Sequence, residues 1–151
     1  MLALVAALTG LGVHSAAALS ITPISQGTQP GGMIVSVVQI TFNPGDVVPW
    51  HYHTGHGWGT VVSGSLTEDE GCDKPLSTLA AGTSFAEIPG KVHRVFNFGT
   101  TPAIMTFVVI YPGCDKATIF VTGPRCEGNS GKSHLEKIPE CDEDGDRTEK
   151  E

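Results

Sequence analysis

The sequence predicts an all-β protein built as a single antiparallel β-barrel. Short segments rich in Val, Ile, Phe and Thr recur along the body of the chain, each the length of a strand. Turn signals separate them, drawn from 19 Gly and 10 Pro in 151 residues. No stretch of the body carries a convincing 3.6-residue apolar period. Many short strands at regular spacing, without helices, fit a sandwich or a closed barrel.

Residues 33–42 alternate and are rich in Val and Ile, so they form a strand. Asn43-Pro44-Gly45-Asp46 is a turn, and residues 47–53 form the next strand. Residues 54–57 are a tight loop. Residues 58–66 form a strand with a turn-like Ser63-Gly64 inside it. Residues 67–75 read as a polar, acidic loop, and 76–79 as a short extended piece. Ala81-Gly82 turns the chain into a strand over 84–88, and Pro89-Gly90 turns it into another over 93–98. The run 103–111 has nine apolar or β-forming residues, which predicts a central strand buried on both faces. Residues 117–122 form the last strand.

The barrel domain is thus expected over 33–125. Residues 19–32 are a polar lead-in with little periodicity. Residues 1–18 are apolar, lack acidic groups and end in Ser15-Ala16-Ala17-Ala18, which reads as a secretory signal peptide cut after Ala18. No apolar run in the body is long enough to span a bilayer, so the mature chain is expected off the membrane, secreted or periplasmic. Residues 126–151 form an acidic tail. From Glu127 onward it carries nine Asp or Glu against four Lys or Arg, most of the chain's net charge of −7. With only Leu135 and Ile138 to bury, the tail is expected to be largely disordered. Asp142, Asp144 and Asp146 alternate, but the glycine spacing of a calcium loop is not met. The acidity, with no basic patch, argues against nucleic acid as a partner.

The four cysteines, Cys72, Cys114, Cys126 and Cys141, form no C-x-x-C pair, which argues against a zinc ribbon or a redox dithiol. An even count in an exported chain predicts disulfides. Three pairings exist. Cys72 with Cys126 is preferred because both lie in loops flanking the barrel, leaving Cys114 with Cys141 to tether the tail.

Four of the six histidines fall in two short stretches. His51 and His53 sit two apart on a strand, so their side chains share one face. His93 opens a second strand. Three imidazoles around one point make a centre for Fe, Mn, Ni, Cu or Zn, with positions left for water, substrate or dioxygen. A fourth histidine, His56, lies in a Gly-flanked loop beside them. Two readings of it stand side by side: a further ligand or general base, or an exposed histidine at the barrel mouth. Phe85, Phe107 and Tyr111 are candidates for core or cavity wall. Asn97 is expected to fix a strand end; Glu87 is a candidate acid/base, with a surface carboxylate the preferred reading.

These residues resemble the two motifs of a small single-domain cupin. Gly45, His51, His53 and Gly64 match the first motif in register. Gly82, Gly90, His93 and Asn97 match the second, with Ile88 where the motif has Pro and Pro89 beside it. The resemblance covers about residues 33–122. It implies a barrel with the metal inside, a small-molecule ligand or substrate, and a homodimer. One position departs from the motif: Gly57 stands where the first motif carries a ligating Glu, and Trp58 follows it. A site of three neutral ligands leaves a divalent metal its full charge. If Gly57 faces inward, Gly59 faces inward too, and the pair would leave room on that wall. By resemblance the function is that of an exported metal-binding cupin, a dioxygenase of a small chelating substrate. The alternative is a non-catalytic, metal-dependent binding or sensing protein. A structural barrel is a third reading, weakened by the three histidines.

Overall fold

The computed structural model describes residues 19–127, 134–138, 140–141 and 147–148. The signal peptide expected over 1–18 and the alternating aspartates at 142–146 lie outside them. The described residues contain strands and turns with no helix, and no described helix is long and apolar enough to cross a membrane.

The strands are β1 (Ser20–Gln29), β2 (Met33–Phe42), β3 (Val47–His53), β4 (His56–Ser63), β5 (Ser65–Asp69), β6 (Ser77–Ala80), β7 (Ser84–Glu87), β8 (His93–Phe96), β9 (Ala103–Pro112) and β10 (Thr118–Phe120). Two short strands, β11 (Glu140–Cys141) and β12 (Arg147–Thr148), pair with each other. One five-stranded sheet has the order β1-β2-β9-β4-β7; the other has β10-β3-β8-β5-β6. Every pairing is antiparallel. The crossing connections make this a jelly-roll barrel, whose closed form protects most edges.

Along β9 the residues 103, 105, 107, 109 and 111 are buried and alternate with half-exposed neighbours. The expected burial on both faces therefore gives way to alternation. Ile104, Val108 and Ile110 are apolar because they sit amid paired strands, between β2 and β4. Val61, Leu66, Leu79 and Ala103 fill the interior beyond the cavity described below. Buried apolar side chains of this kind contribute about 1.5–3 kcal/mol each.

Two elements differ from the sequence reading. Residues 20–29, read as a lead-in, form β1, which pairs with β2 from Ser20↔Thr41 to Gln29↔Met33. All ten of its residues are exposed, so no hydrophobic alternation marks it. Residues 67–69, read as loop, end β5, with Thr67, Glu68 and Asp69 paired to β8. Asp69 takes two hydrogen bonds from Arg94, at 2.9 and 2.7 Å, and Arg94 in turn lies 4.3 Å over the Trp50 ring. Asp69 can hold a strand position here because Arg94 satisfies its carboxylate.

The disulfides are Cys72–Cys126 and Cys114–Cys141, the preferred pairing. Part of the tail docks on the barrel. Glu136 N donates to Gly90 O at 2.8 Å, and Arg125 donates to both Glu136 carboxylate oxygens. Gly90 has φ of +78°, and a Cβ there would meet Glu136 O at 2.3 Å, so only glycine fits that turn.

Candidate metal centre

The three motif histidines converge from one sheet. His51 and His53 belong to β3, His93 to β8, and His51 pairs directly with His93. Val48 and His51 both line the cavity although three positions separate them. Strict alternation would put them on opposite faces. A bulge between them, where the β3–β8 register shifts, restores the inward direction. Pro49 sits in the bulge, where its missing N–H costs no ladder bond.

Each imidazole is held from behind by a backbone carbonyl. His51 Nδ1 donates to Pro49 O at 2.7 Å, His53 Nδ1 to Ala117 O at 3.1 Å, and His93 Nδ1 to Lys91 O at 3.0 Å. A carbonyl only accepts, so each Nδ1 carries its hydrogen and each neutral ring turns an Nε2 lone pair inward. This is the second-shell arrangement that fixes metal-ligating histidines. All three residues are buried, and their ligand atoms lie within 4.8 Å of one another. Burial, with His93 and His53 close by, lowers the His51 pKa to about 3, so this ring stays neutral near pH 7.

Glu87 completes the cluster from the opposite sheet. Expected on the surface, it is 5% exposed and faces the histidines from the end of β7. Its Oε2 lies 2.9 Å from His53 Nε2 and its Oε1 lies 3.1 Å from His93 Nε2. Burial alone would raise its pKa, but the two imidazoles outweigh burial and draw it well below the usual carboxylate range. Burial also opposes charge on His93, yet Glu87 outweighs it and raises that ring's pKa. Glu87 Oε2 and His93 Nε2 are buried without an aligned hydrogen bond.

His56 is not brought to the centre. It starts β4 with its side chain outside, exposed and stacked on Trp58 with ring centroids 6.1 Å apart. Gly57 faces inward, which turns both neighbours out. The room expected beside Gly57 and Gly59 is taken by aromatic rings. A Cβ on Gly57 would meet Phe107 Cζ at 2.5 Å, and one on Gly59 would meet Phe85 Cζ at 2.2 Å.

The centre forms the polar end of a cavity of about 270 Å³ between the two sheets. Apart from Ser36, Thr118, Glu87 and the histidines, its walls are apolar, among them Val38, Met105, Phe107 and Val109. Ile21 and Phe120 line it while remaining exposed, which places them at its mouth.

A jelly-roll barrel with inward imidazoles from two neighbouring strands defines a cupin. Comparison with known proteins agrees: a cupin domain model matches residues 38–111. The chain is a cupin-domain protein. Among curated proteins it is similar to auxin-binding proteins ABP19b and ABP19a of Prunus persica, 32% and 30% identical over 93 residues. Those matches cover 56% of this chain and 44% of each relative, so the chain spans less than half their length. Among solved structures, oxalate oxidase in complex with the substrate analogue glycolate aligns with a TM-score of 0.56 and 27% identity, over 68% of this chain and 55% of that one. A cupin domain from Bordetella pertussis Tohama I aligns with a TM-score of 0.52 and 22% identity, over 62% and 93% of the two chains.

The donor set fits a divalent transition metal. Three oriented imidazole lone pairs gather at one point, with the Glu87 carboxylate against two of the rings, and Glu87 Oε2 and His93 Nε2 lack an aligned partner. Nitrogen and oxygen donors of this kind suit Fe, Mn, Ni, Cu or Zn.

Proposed function

We propose that this chain is an exported, metal-dependent cupin that acts as a dioxygenase of a small chelating substrate. The observation that supports this reading best is the convergence of the His51, His53 and His93 ligand atoms in the lining of an apolar cavity. When bound there, a divalent metal would supply Lewis acidity and a meeting point for substrate and dioxygen.

The chain's own residues supply the rest. The backbone carbonyls of Pro49, Ala117 and Lys91 hold the imidazoles in the ligating tautomer. Val38, Met105 and Val109 give the cavity an apolar wall, and an apolar surround strengthens any charge interaction inside it. A cavity of this size admits a small molecule, which would enter past Ile21 and Phe120. Oxalate oxidase, the solved neighbour that carries glycolate, is in keeping with a small chelating acid as the substrate. The two disulfides accord with an oxidising compartment, secreted or periplasmic.

A second reading is a cupin that binds its ligand at the metal without turnover. The apolar walls and the auxin-binding relatives favour it. One experiment separates the two. Untagged protein is analysed for metal, then tested for dioxygen uptake and for ligand binding with small hydroxy acids, dicarboxylates and diketones. About one metal per chain with substrate-dependent uptake supports the enzyme. Metal-dependent binding without uptake supports the second reading. Protein that neither holds nor takes up a transition metal overturns both.

A further inference from the structure

We propose that Glu87 is the fourth, anionic ligand of this metal, replacing across the β4–β7 pair the carboxylate that Gly57 lacks. The inference rests on the three-histidine reading and deepens it.

The register makes the replacement geometrically direct. Gly57 and Glu87 are Cα partners in the antiparallel β4–β7 ladder. Side chains of directly opposed residues lie on the same face, with Cβ positions about 4.5–5.5 Å apart. A carboxylate on either strand therefore reaches the same region. The two positions also exclude each other: a Cβ on Gly57 would stand 3.3 Å from Glu87 Oε2 and collide with the Phe107 ring. Gly57 is thus the small residue that lets Glu87 and Phe107 occupy this wall.

The lone pairs demand a cation. The Nδ1 hydrogens of His53 and His93 are committed to Ala117 O and Lys91 O. Their neutral Nε2 atoms then present lone pairs to carboxylate oxygens at 2.9 and 3.1 Å. Acceptor facing acceptor at that distance is repulsive without a positive centre between them. Protons on the two rings would relieve these contacts but would leave the His51 lone pair without a partner. A divalent metal accepts all of them at once. Glu87 is 5% exposed, so bulk water does little to offset its charge. A metal held this way carries a net single positive charge at the site, with the histidines supplied by one sheet and the carboxylate by the other.

The test uses the full chain loaded with Mn(II) or Co(II). Glu87→Gln preserves shape and removes the charge; Glu87→Asp keeps the charge but withdraws it by one methylene. Loss of a partner that only orients a ligand costs about 10–100-fold in metal affinity. Direct ligation predicts a loss of about 100-fold or more for Glu87→Gln, a changed Co(II) visible spectrum, and a smaller loss for Glu87→Asp. The unmodified protein gives a readout that needs no variant. Its infrared difference spectrum on Mn(II) binding should show the wider carboxylate stretch splitting of monodentate coordination. Unchanged affinity and Co(II) spectrum in Glu87→Gln overturn the proposal, as does an infrared spectrum without that carboxylate change. If the unmodified protein binds no metal, or His93→Ala keeps it, the three-histidine reading itself has failed. That outcome is distinct from a centre that survives without Glu87.

Discussion

Gly57 and Glu87 stand directly opposite each other on β4 and β7, and the glycine leaves the wall that the carboxylate occupies. The sheet that lacks a carboxylate at one motif position carries one on its neighbouring strand. Sheet pairing lets an acidic group move between strands without leaving the site, because cross-strand partners share a face.

The histidines should be unequal in a predictable order. His51→Ala and His93→Ala remove inward Nε2 donors and are expected to abolish stoichiometric metal binding. His56→Ala is expected to leave affinity unchanged, since that ring is exposed and stacks on Trp58. Equilibrium dialysis followed by elemental analysis checks all three. Full metal retention in His93→Ala would remove the centre from this account.

Metal uptake should release a proton, and the source can be named. Glu87 raises the His93 pKa above its usual 6.5, while burial lowers that of His51 to about 3. Below the raised value the metal-free protein holds a proton on His93 that the metal must displace. Apparent affinity should therefore fall as pH falls through that value, while His51 adds nothing between pH 5 and 8. Calorimetry at pH 6.5 in two buffers of different ionisation enthalpy should count on the order of one proton released per metal. A release of zero would contradict the Glu87–His93 coupling.

Much of the fold and most of the site could be read from the sequence, for physical reasons that specific residues illustrate. His51 and His53 are legible because a two-residue spacing on a strand fixes a shared face. His93 is legible through its turn, where Gly90 must adopt a positive φ. Glu87 was not legible. Its role depends on a register with Gly57 that no local pattern encodes, and an isolated acid in a strand ordinarily faces solvent. The inward turn of Val48 and His51 together also needs a bulge that alternation cannot foresee. β1 escaped because an exposed edge strand need not alternate. The acidic end of β5 escaped because Asp69 is satisfied by Arg94, a contact between distant segments.

Asn97 should be a stability residue and not a metal residue. It is fully buried, donates to Phe42 O and Thr101 O at 2.9 Å each, and accepts from Gly99 N. Its own backbone bonds Gly45 and Asp46, extending the β3–β8 ladder by one position. Asn97→Ala would strand several buried groups and is expected to cost about 2–4 kcal/mol. Urea denaturation measures the loss, and metal affinity of the folded fraction should stay within a few-fold of the unmodified protein.

The Cys72–Cys126 bridge should carry more stability than its surface position suggests. It closes a loop with a sequence separation of 54, which contains β6, β7, β8, β9 and β10, and with them Glu87 and His93. In the chain-entropy account such a closure is worth about 4 kcal/mol, and removal of a native disulfide typically costs about 2–5 kcal/mol. The paired change Cys72→Ser with Cys126→Ser is therefore expected to lower the thermal midpoint by several degrees or more. Metal should recover part of that loss, because binding favours the folded chain in proportion to its affinity. Thermal scans with and without Mn(II), on the unmodified and double-serine proteins, give four midpoints. The metal increment should be present in both backgrounds. Its disappearance in the serine protein would mean that the bridge, rather than the barrel pairing, holds the ligands in place.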